Sequence, residues 1–294
     1  MIKIKCAVIY GSKSAQHQYF IEKGKEYFDK VLGVPLEGVR TVYDGDGAHL
    51  MYKNTDLCEF DAVYLRLLGN DLMYGEHLPE ILDENNVYTQ LESEALAIAS
   101  NKFHMMKVLG ESGLPVPDSI YTLSTEETER AGETLGYPNI IKIISGYGGK
   151  GVIKANSESD IGPITDALTL FEQEICVQEY IDNPGEDIRI TVVGDETFAY
   201  KRVGGEEEFR SNISAGGNRE SFEPSEEMKE SAINAARLCG LDIAGIDIIE
   251  DEKTGEIYLG EVNASPGVEG TEEVLEVDMA KKIMAFIKKK AAER

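Results

Sequence analysis

Near its C-terminal end the chain reads Glu261-Val262-Asn263-Ala264-Ser265-Pro266-Gly267, and Asp247 stands fourteen positions before Glu261 in Gly245-Ile246-Asp247-Ile248-Ile249. The segment between them has the pattern of a β-hairpin. Residues 246–249 form a short apolar strand, Asp251-Glu252-Lys253-Thr254-Gly255 a turn, and residues 257–263 the return strand. Strand periodicity puts Glu261 and Asn263 on one face, and hairpin pairing brings Asp247 within reach of both. Two carboxylates and an amide oxygen are a hard, all-oxygen donor set. It suits Mg²⁺, which binds a few carboxylates together with phosphate oxygens. The plainer reading is solvated hairpin charge followed by an ordinary turn. Against it, the acids are flanked by Ile, Leu and Val, and a buried charge needs a partner or a metal.

Three further groups could act on a phosphorylated ligand. Lys142 lies in Ile140-Ile141-Lys142-Ile143-Ile144, ahead of Ser145-Gly146-Tyr147-Gly148-Gly149-Lys150-Gly151. This loop joins two expected strands, so it is neither a Walker loop nor a Rossmann fingerprint. Its backbone N–H groups could still fold over phosphates, and Lys142 points either to solvent or into a cleft. Val177-Gln178-Glu179-Tyr180-Ile181 runs into Asp182-Asn183-Pro184-Gly185, a hinge or a plain linker. Asp187-Ile188-Arg189, Lys201-Arg202 and Phe209-Arg210-Ser211-Asn212 bring three guanidinium groups, which grip phosphate or carboxylate oxygens with paired bonds. Asp187 and Arg189 share a strand face and could instead pair with each other.

These residues need elements to carry them. Residues 1–95 alternate strand and helix: a strand at 4–10, helix to 32, a strand at 60–66, helix at 76–84 and a short strand at 87–89. That alternation predicts an open parallel sheet. A helix is expected over 91–112, ended by Pro115 and Pro117. Ser124 with Glu127 is a capping box that starts the next helix. Strands at 140–144, 152–155 and 175–180 surround a helix at 160–173. Strands at 187–193 and 197–202, a helix at 225–238, the hairpin and a helix from about 277 complete the chain.

The 294 residues suit two or three lobes. With 54 acidic against 29 basic residues the net charge is −25, which disfavours nucleic acid and anionic membranes as partners. Cys6, Cys58, Cys176 and Cys239 are dispersed and read as reduced core fillers. The first ten residues look like a strand rather than a signal peptide, and no run approaches a membrane span. The expected location is the cytoplasm.

The order of the motifs, from Lys102 through Lys142, the glycine loop, Gln178-Glu179, Asp187, Arg202 and Arg210-Ser211-Asn212 to Asp247, Glu261 and Asn263, resembles the ATP-grasp superfamily. Within it the chain is similar to RimK-type ligases, which add glutamate or a similar amino acid to a carboxylate. Glu261 to Gly270, followed by Val277-Asp278-Met279-Ala280, is close to that family's C-terminal signature. Asp187-Ile188-Arg189 and Phe209-Arg210-Ser211-Asn212 fit the same family, and Phe60-Asp61-Ala62-Val63 through Arg66 resembles its N-terminal lobe. The likeness covers nearly the whole chain and is strongest from residue 175 onward.

The resemblance implies an α/β protein with α+β lobes: an N-terminal open parallel-sheet domain over 1–98, a central ATP-grasp lobe over 99–181 and a C-terminal lobe over 182–294. It implies that Lys102 and Lys142 contact ATP phosphates under a loop containing Gly146, Gly148 and Gly149. Gln178, Glu179, Tyr180 and Ile181 would frame adenine, and Asp187 would bind ribose. Arg210, Ser211 and Asn212 would lie along the phosphates. Asp247, Glu261 and Asn263 would hold two Mg²⁺ ions, with Mn²⁺ as a substitute, and Arg202 would be catalytic, facing the acyl-phosphate. The implied partners are ATP, an amino acid, a carboxylate acceptor that is a small cofactor or a protein tail, and further copies of the chain in a dimer or tetramer. The alternatives are another ATP-grasp ligase, of dipeptide or carrier-protein type, and a non-catalytic nucleotide-binding protein. Two positions depart from the family pattern. Asn101-Lys102 replaces Asp-Lys, and Ala215 stands where an arginine often precedes Gly-Gly. The second change puts the usual acceptor or amino-acid preference in doubt.

Overall fold

The structure, a computed structural model, describes residues 3–11, 16–45, 47–69, 71–143, 151–169, 174–183, 185–204 and 218–294. Gly146, Gly148, Gly149, Arg210, Ser211, Asn212 and Ala215 lie outside these residues.

In the N-terminal region the elements are β1 (Lys5–Tyr10), α1 (His17–Gly24), β2 (Lys30–Pro35), β3 (Val39–Asp44), β4 (Gly47–Tyr52), β5 (Thr55–Asp56) and a 3-10 turn at Leu57–Glu59. They continue with β6 (Ala62–Arg66), α2 (Asp71–Gly75), α3 (Leu78–Glu84), α4 (Ala95–Ser100) and α5 (Lys102–Glu111). The expected parallel sheet is present, in the order β2-β1-β6. Alternation along β1 sends Ala7 and Ile9 into one apolar core and Cys6 and Val8 into another, as a parallel sheet covered on both faces requires.

Four expectations here need correction. The first helix stops at Gly24, because Val31 to Val34 pair with β1 as β2. A three-stranded antiparallel sheet, β3-β4-β5, occupies a stretch given no structure from sequence. β3 is mostly exposed or half-buried, so its apolar signal is weak. The strand at 87–89 reduces to a bridge between Ala62 and Tyr88. The single helix over 91–112 is two helices, broken at Asn101. There the backbone turns extended, and the side chain accepts hydrogen bonds from the N–H groups of Phe103 (3.0 Å) and His104 (3.1 Å). Asn is a preferred N-cap.

The central region comprises β7 (Ser119–Thr122), α6 (Thr125–Leu135), β8 (Asn139–Ile143), β9 (Val152–Ala155), α7 (Glu158–Thr169) and β10 (Ile175–Glu179). Its antiparallel sheet runs β7-β10-β8-β9. Ser124 caps α6 through the Glu127 N–H, as expected. One face of this sheet packs on α6 and α7 through Ile141, Val177, Ala131 and Ile161, in an apolar core separate from the other two.

The remaining elements are β11 (Glu186–Val193), β12 (Glu196–Val203), β13 (Asn218–Ser221), α8 (Glu226–Leu238), β14 (Ile243–Glu250), β15 (Ile257–Asn263), α9 (Glu269–Leu275) and α10 (Met279–Glu293). The antiparallel sheet β13-β12-β11-β14-β15 contains the expected hairpin as β14 and β15. The short helix α9 was not foreseen. Ile188, Ile190, Ile246, Ile248 and Val262 bury the core face of this sheet, which leaves the alternate residues for the other face. Helix α10 reaches back to the N-terminal sheet, where Met279, Ile283 and Ile287 meet Cys6, Val8 and Tyr64. Among the described residues no helix is long and apolar enough to cross a membrane.

Candidate active site

The polar face of the C-terminal sheet is built by strand register. Tyr200 lies opposite Arg189, Arg189 opposite Asp247, and Asp247 opposite Glu261. Two pairs along, on the same face, Asp187 lies opposite Arg202. The ladder shifts just after Asp247, where a bulge at Gly260 restarts the pairing at Ile248 and Leu259. The bulge lets Asp247 and Glu261 share a face while the apolar residues beyond still reach the core.

Asp187 and Arg189 do not pair with each other. Arg202 grips Asp187 with a two-pronged contact, Nε donating to Oδ1 at 2.5 Å and Nη2 donating to Oδ2. The same Nη2 reaches Asp247 Oδ2 at 2.8 Å. Arg189 Nη2 donates to Asp247 Oδ2 at 3.1 Å, and its Nε approaches Oδ1 to 2.5 Å without hydrogen-bond alignment. Arg202 and Asp247 are both buried. Burial opposes the charge on Arg202, but Asp247 and Asp187 together hold it above its ordinary pKa. Burial likewise acts to raise Asp247, and the charges of Arg189 and Arg202 overcome it, so the carboxyl sits below the ordinary range. Arg189 can lie flat along the sheet because residue 245 is glycine: a Cβ there would stand 2.7 Å from Arg189 Nη1 and 2.9 Å from Pro266 Cβ.

Two lysines approach from elsewhere in the chain. Lys102, at the first position of α5, donates to Glu261 Oε1 at 2.6 Å. Lys142 projects from the face of the central sheet opposite its core, into the cleft rather than to solvent. Its ammonium donates to Gln178 Oε1, and Gln178 Nε2 donates to Ser119 Oγ at 2.8 Å. Burial pushes the Lys142 pKa down and the charge of Lys102 adds to this, while Cys176, Glu261 and Asp247 act the other way. Cys176 stands opposite Lys142 in the β10–β8 ladder.

The segment that follows β10 is tied at both ends. Glu179 Oε1 accepts from the Asp118 N–H at 2.9 Å, and the Glu179 N–H donates to Asp118 O at 2.9 Å. The Glu252 N–H donates to Asp182 O at 2.8 Å, joining it to the β14–β15 turn. Ile181 is buried, and the Lys154 ammonium lies 3.5 Å from the Tyr180 ring centroid.

The Asn-Ala-Ser-Pro-Gly turn is anchored to the N-terminal sheet. Arg66 Nη1 donates to Pro266 O at 2.8 Å, and the Leu67 N–H donates to Ser265 Oγ at 3.2 Å. Arg66, Ser265 and Gly245 were given no site role from sequence, and Arg189 was read there only as one of three guanidinium groups, with Asp187 as its possible partner. Strand alternation places Arg189 on the face of Asp187, but only the strand order β12-β11-β14-β15 reveals its partner.

The donors fit a divalent cation. Asp247 Oδ1 is buried and receives no aligned hydrogen bond among the described residues, its partner being the misaligned Arg189 Nε; a bound cation would satisfy it. Asn263 gives its amide N–H₂ to Gly245 O (3.3 Å), which turns its carbonyl oxygen away from that bond, with no partner among the described residues. With Glu261, these atoms form a hard oxygen set beside four cationic groups, which is the charge pattern a metal–polyphosphate complex requires.

Known proteins share this fold and much of this sequence pattern. Residues 99–287 match the family model described as the RimK-like ATP-grasp domain. A protein of Syntrophotalea carbinolica named "Probable alpha-L-glutamate ligase" is 34% identical over 241 residues, 81% of this chain and 79% of the relative. The structure of the ATP-grasp ligase PsnB with a phosphomimetic variant of its minimal precursor, Mg and ADP superposes with a TM-score of 0.75, at 21% identity and over 98% of both chains. D-alanine–D-alanine ligase of Bacillus anthracis in complex with ATP superposes at a TM-score of 0.70, with 17% identity over 99% of this chain and 98% of that one.

Proposed function

The chain belongs to the RimK-like ATP-grasp family of ATP-dependent ligases, and from that premise we propose that it joins an amino acid, glutamate by preference, to a carboxylate acceptor through an acyl-phosphate. The observation that carries this reading is the meeting of Asp247 and Glu261, in register on one hairpin, with Lys102, which comes from α5. The relatives' name favours glutamate as the added amino acid.

A carboxylate resists amines because it would have to expel oxide. In the proposed reaction a carboxylate oxygen of the acceptor attacks the γ-phosphorus of ATP, ADP leaves, and a mixed anhydride remains. The amino group then attacks the acyl carbon, and the tetrahedral adduct collapses with loss of phosphate and of the amine proton. Lys102 and Lys142 contact the phosphates, and Gln178, Glu179, Tyr180 and Ile181 frame the adenine. Asp187 serves the ribose, turning part of its carboxylate from Arg202. Arg202 faces the charge that develops on the acyl-phosphate and on the tetrahedral adduct. Gly146, Gly148, Gly149, Arg210, Ser211 and Asn212 complete the nucleotide site in this reading. Asp247, Glu261 and Asn263 would hold Mg²⁺, as two ions with Mn²⁺ an acceptable substitute, and the metal would supply positive charge against the phosphates of ATP.

The lobes 1–98, 99–181 and 182–294 act together. The central lobe has an apolar core of its own, which suits closure over ATP and exclusion of the water that would hydrolyse the anhydride. We take the working form to be a cytoplasmic dimer or tetramer. The test is ADP release with Mg²⁺, ATP, glutamate and a panel of small carboxylates and acidic peptides, with the products identified by mass. Acceptor-dependent ADP and a product heavier by one glutamyl residue are expected, and hydroxylamine should divert the anhydride to a hydroxamate. ADP release that no acceptor stimulates would overturn the reading.

A further inference from the structure

On the small antiparallel sheet, three side chains of a different chemical character converge. His49 lies on β4, Asp56 ends β5, and Cys58 lies in the 3-10 turn that follows. One potential ligand atom from each falls within 4.8 Å of the others. His49 Nδ1 is 2.9 Å from Asp56 Oδ2. The second oxygen of Asp56 is already used: Oδ1 accepts from the Cys58 N–H at 2.8 Å and caps the turn. That contact fixes the carboxylate plane and aims Oδ2 at the imidazole.

We propose that His49, Asp56 and Cys58 form a site for a borderline-soft divalent cation of the Zn²⁺ class, distinct from the hard oxygen site in the ATP cleft. Imidazole, carboxylate and thiolate are all ordinary Zn²⁺ ligands, with bonds of about 2.0–2.3 Å, which places tetrahedral donors roughly 3.3–3.8 Å apart. The His49–Asp56 pair is already near that spacing. The three ligand atoms lie within 4.8 Å of one another, so side-chain movements of about 1 Å would complete the site. All three residues are half-buried, so a water can take the fourth position. A thiolate makes the site unattractive to Mg²⁺ and selective for softer ions. Binding breaks the His49 Nδ1–Asp56 Oδ2 hydrogen bond, leaves the neutral imidazole protonated on Nε2 alone, and releases the Cys58 proton to solvent as the sulfur–metal bond forms.

The site has a mechanical consequence. Leu57, between two of the ligands, is fully buried in the main core. A bound cation therefore clips the solvent-side hairpin to a turn already anchored in the interior. β5 has only two residues and pairs with β4 over two positions, so its backbone hold on the sheet is short.

Co²⁺ serves as the probe. Full-length protein stripped with chelator is titrated with Co²⁺ in the absence of ATP and Mg²⁺. The expected result is one ion per chain with a thiolate-to-cobalt charge-transfer band in the near ultraviolet, displaced by one equivalent of Zn²⁺. Cys58→Ser should remove the band, and both Cys58→Ser and His49→Gln should weaken Zn²⁺ binding by at least roughly 10–100-fold, the loss seen even for outer-shell changes. His49→Gln keeps the thiol and covers the case in which Cys58→Ser does not fold. Glu261→Ala should leave the band unchanged, since it alters only the ATP cleft. Absence of the band in the wild-type protein, or its survival in Cys58→Ser, would overturn the proposal.

Discussion

Asp247 and Glu261 stand directly opposite one another on β14 and β15, at the last aligned pair before the bulge. Their like charges are kept together by cations on either side, Arg189 and Arg202 against Asp247 and Lys102 against Glu261. The row Arg189-Asp247-Glu261-Lys102 therefore alternates in sign across the sheet, and it couples α5 to the hairpin. Each member depends on the backbone that presents it, and several consequences can be measured.

At Gly245 a single added carbon would press directly on the site. Gly245→Ala places a methyl group 2.7 Å from Arg189 Nη1 and 2.9 Å from Pro266 Cβ. Either Arg189 leaves Asp247 or the Asn-Ala-Ser-Pro-Gly turn moves. The expected cost is about 1–3 kcal/mol, typical of overpacking, read as a lower urea midpoint, with a raised KM for ATP. Unchanged stability and KM would show that Arg189 is not held in this lane.

The acid limb of stability should carry the signature of Asp247. Its folded-state pKa lies below the ordinary 3.8, so the ionised group stabilises the fold at and above that value. The contribution is lost as pH falls through the folded pKa. Asp247→Asn should thus be less stable than wild type at neutral pH, and the gap should narrow on acidification below about pH 4. Urea denaturation across this range reads the effect. A gap independent of pH would exclude the linkage.

Lys142 should give ATP binding an alkaline limit. Its pKa is below the ordinary 10.5 because the ammonium is buried, and a neutral amine binds phosphate poorly. As pH rises through that lowered value, kcat/KM for ATP should fall, earlier than an exposed lysine would allow. Lys142→Arg, which retains its charge, should remove this limb while lowering the plateau. An identical alkaline limb in the variant would assign it to another group.

Ser265 ties the Asn-Ala-Ser-Pro-Gly turn to the end of β6. Ser265→Ala removes the acceptor of the buried Leu67 N–H. An unsatisfied buried donor costs about 1–3 kcal/mol. The loss should appear in thermal or urea unfolding, whereas Ser265→Thr, which keeps the hydroxyl, should recover part of it. Equal stability of the alanine variant would mean that water or another group replaces the contact.

The hairpin, the β8–β9 and β11–β12 pairs and the Ser124 cap were legible because each depends on local periodicity or a short-range turn. The split of the 91–112 helix was signalled by Asn101, a residue that favours a cap over a helix interior, but continuous apolar content masked it. β2 was absorbed into a helix because a short run such as Val31 to Val34 satisfies both periods. Partner choice was the least legible. Asp187 and Arg189 are two residues apart on one strand, and sequence offers their mutual pairing. Strand order instead sends Asp187 to Arg202 and Arg189 to Asp247. The fate of Lys142 likewise turned on which face of the central sheet received α6 and α7, a tertiary fact.

Glu261 is the proposed ligand on which the metal–nucleotide complex most depends. The direct measurement is acceptor-dependent ADP formation by Glu261→Ala at saturating ATP and Mg²⁺, with circular dichroism to confirm its fold. A loss of kcat of at least about 10²–10³ is expected, the scale of removing one charge-stabilising group from a transition state, in a protein that remains folded. Turnover by a folded Glu261→Ala variant within a few-fold of wild type would contradict it.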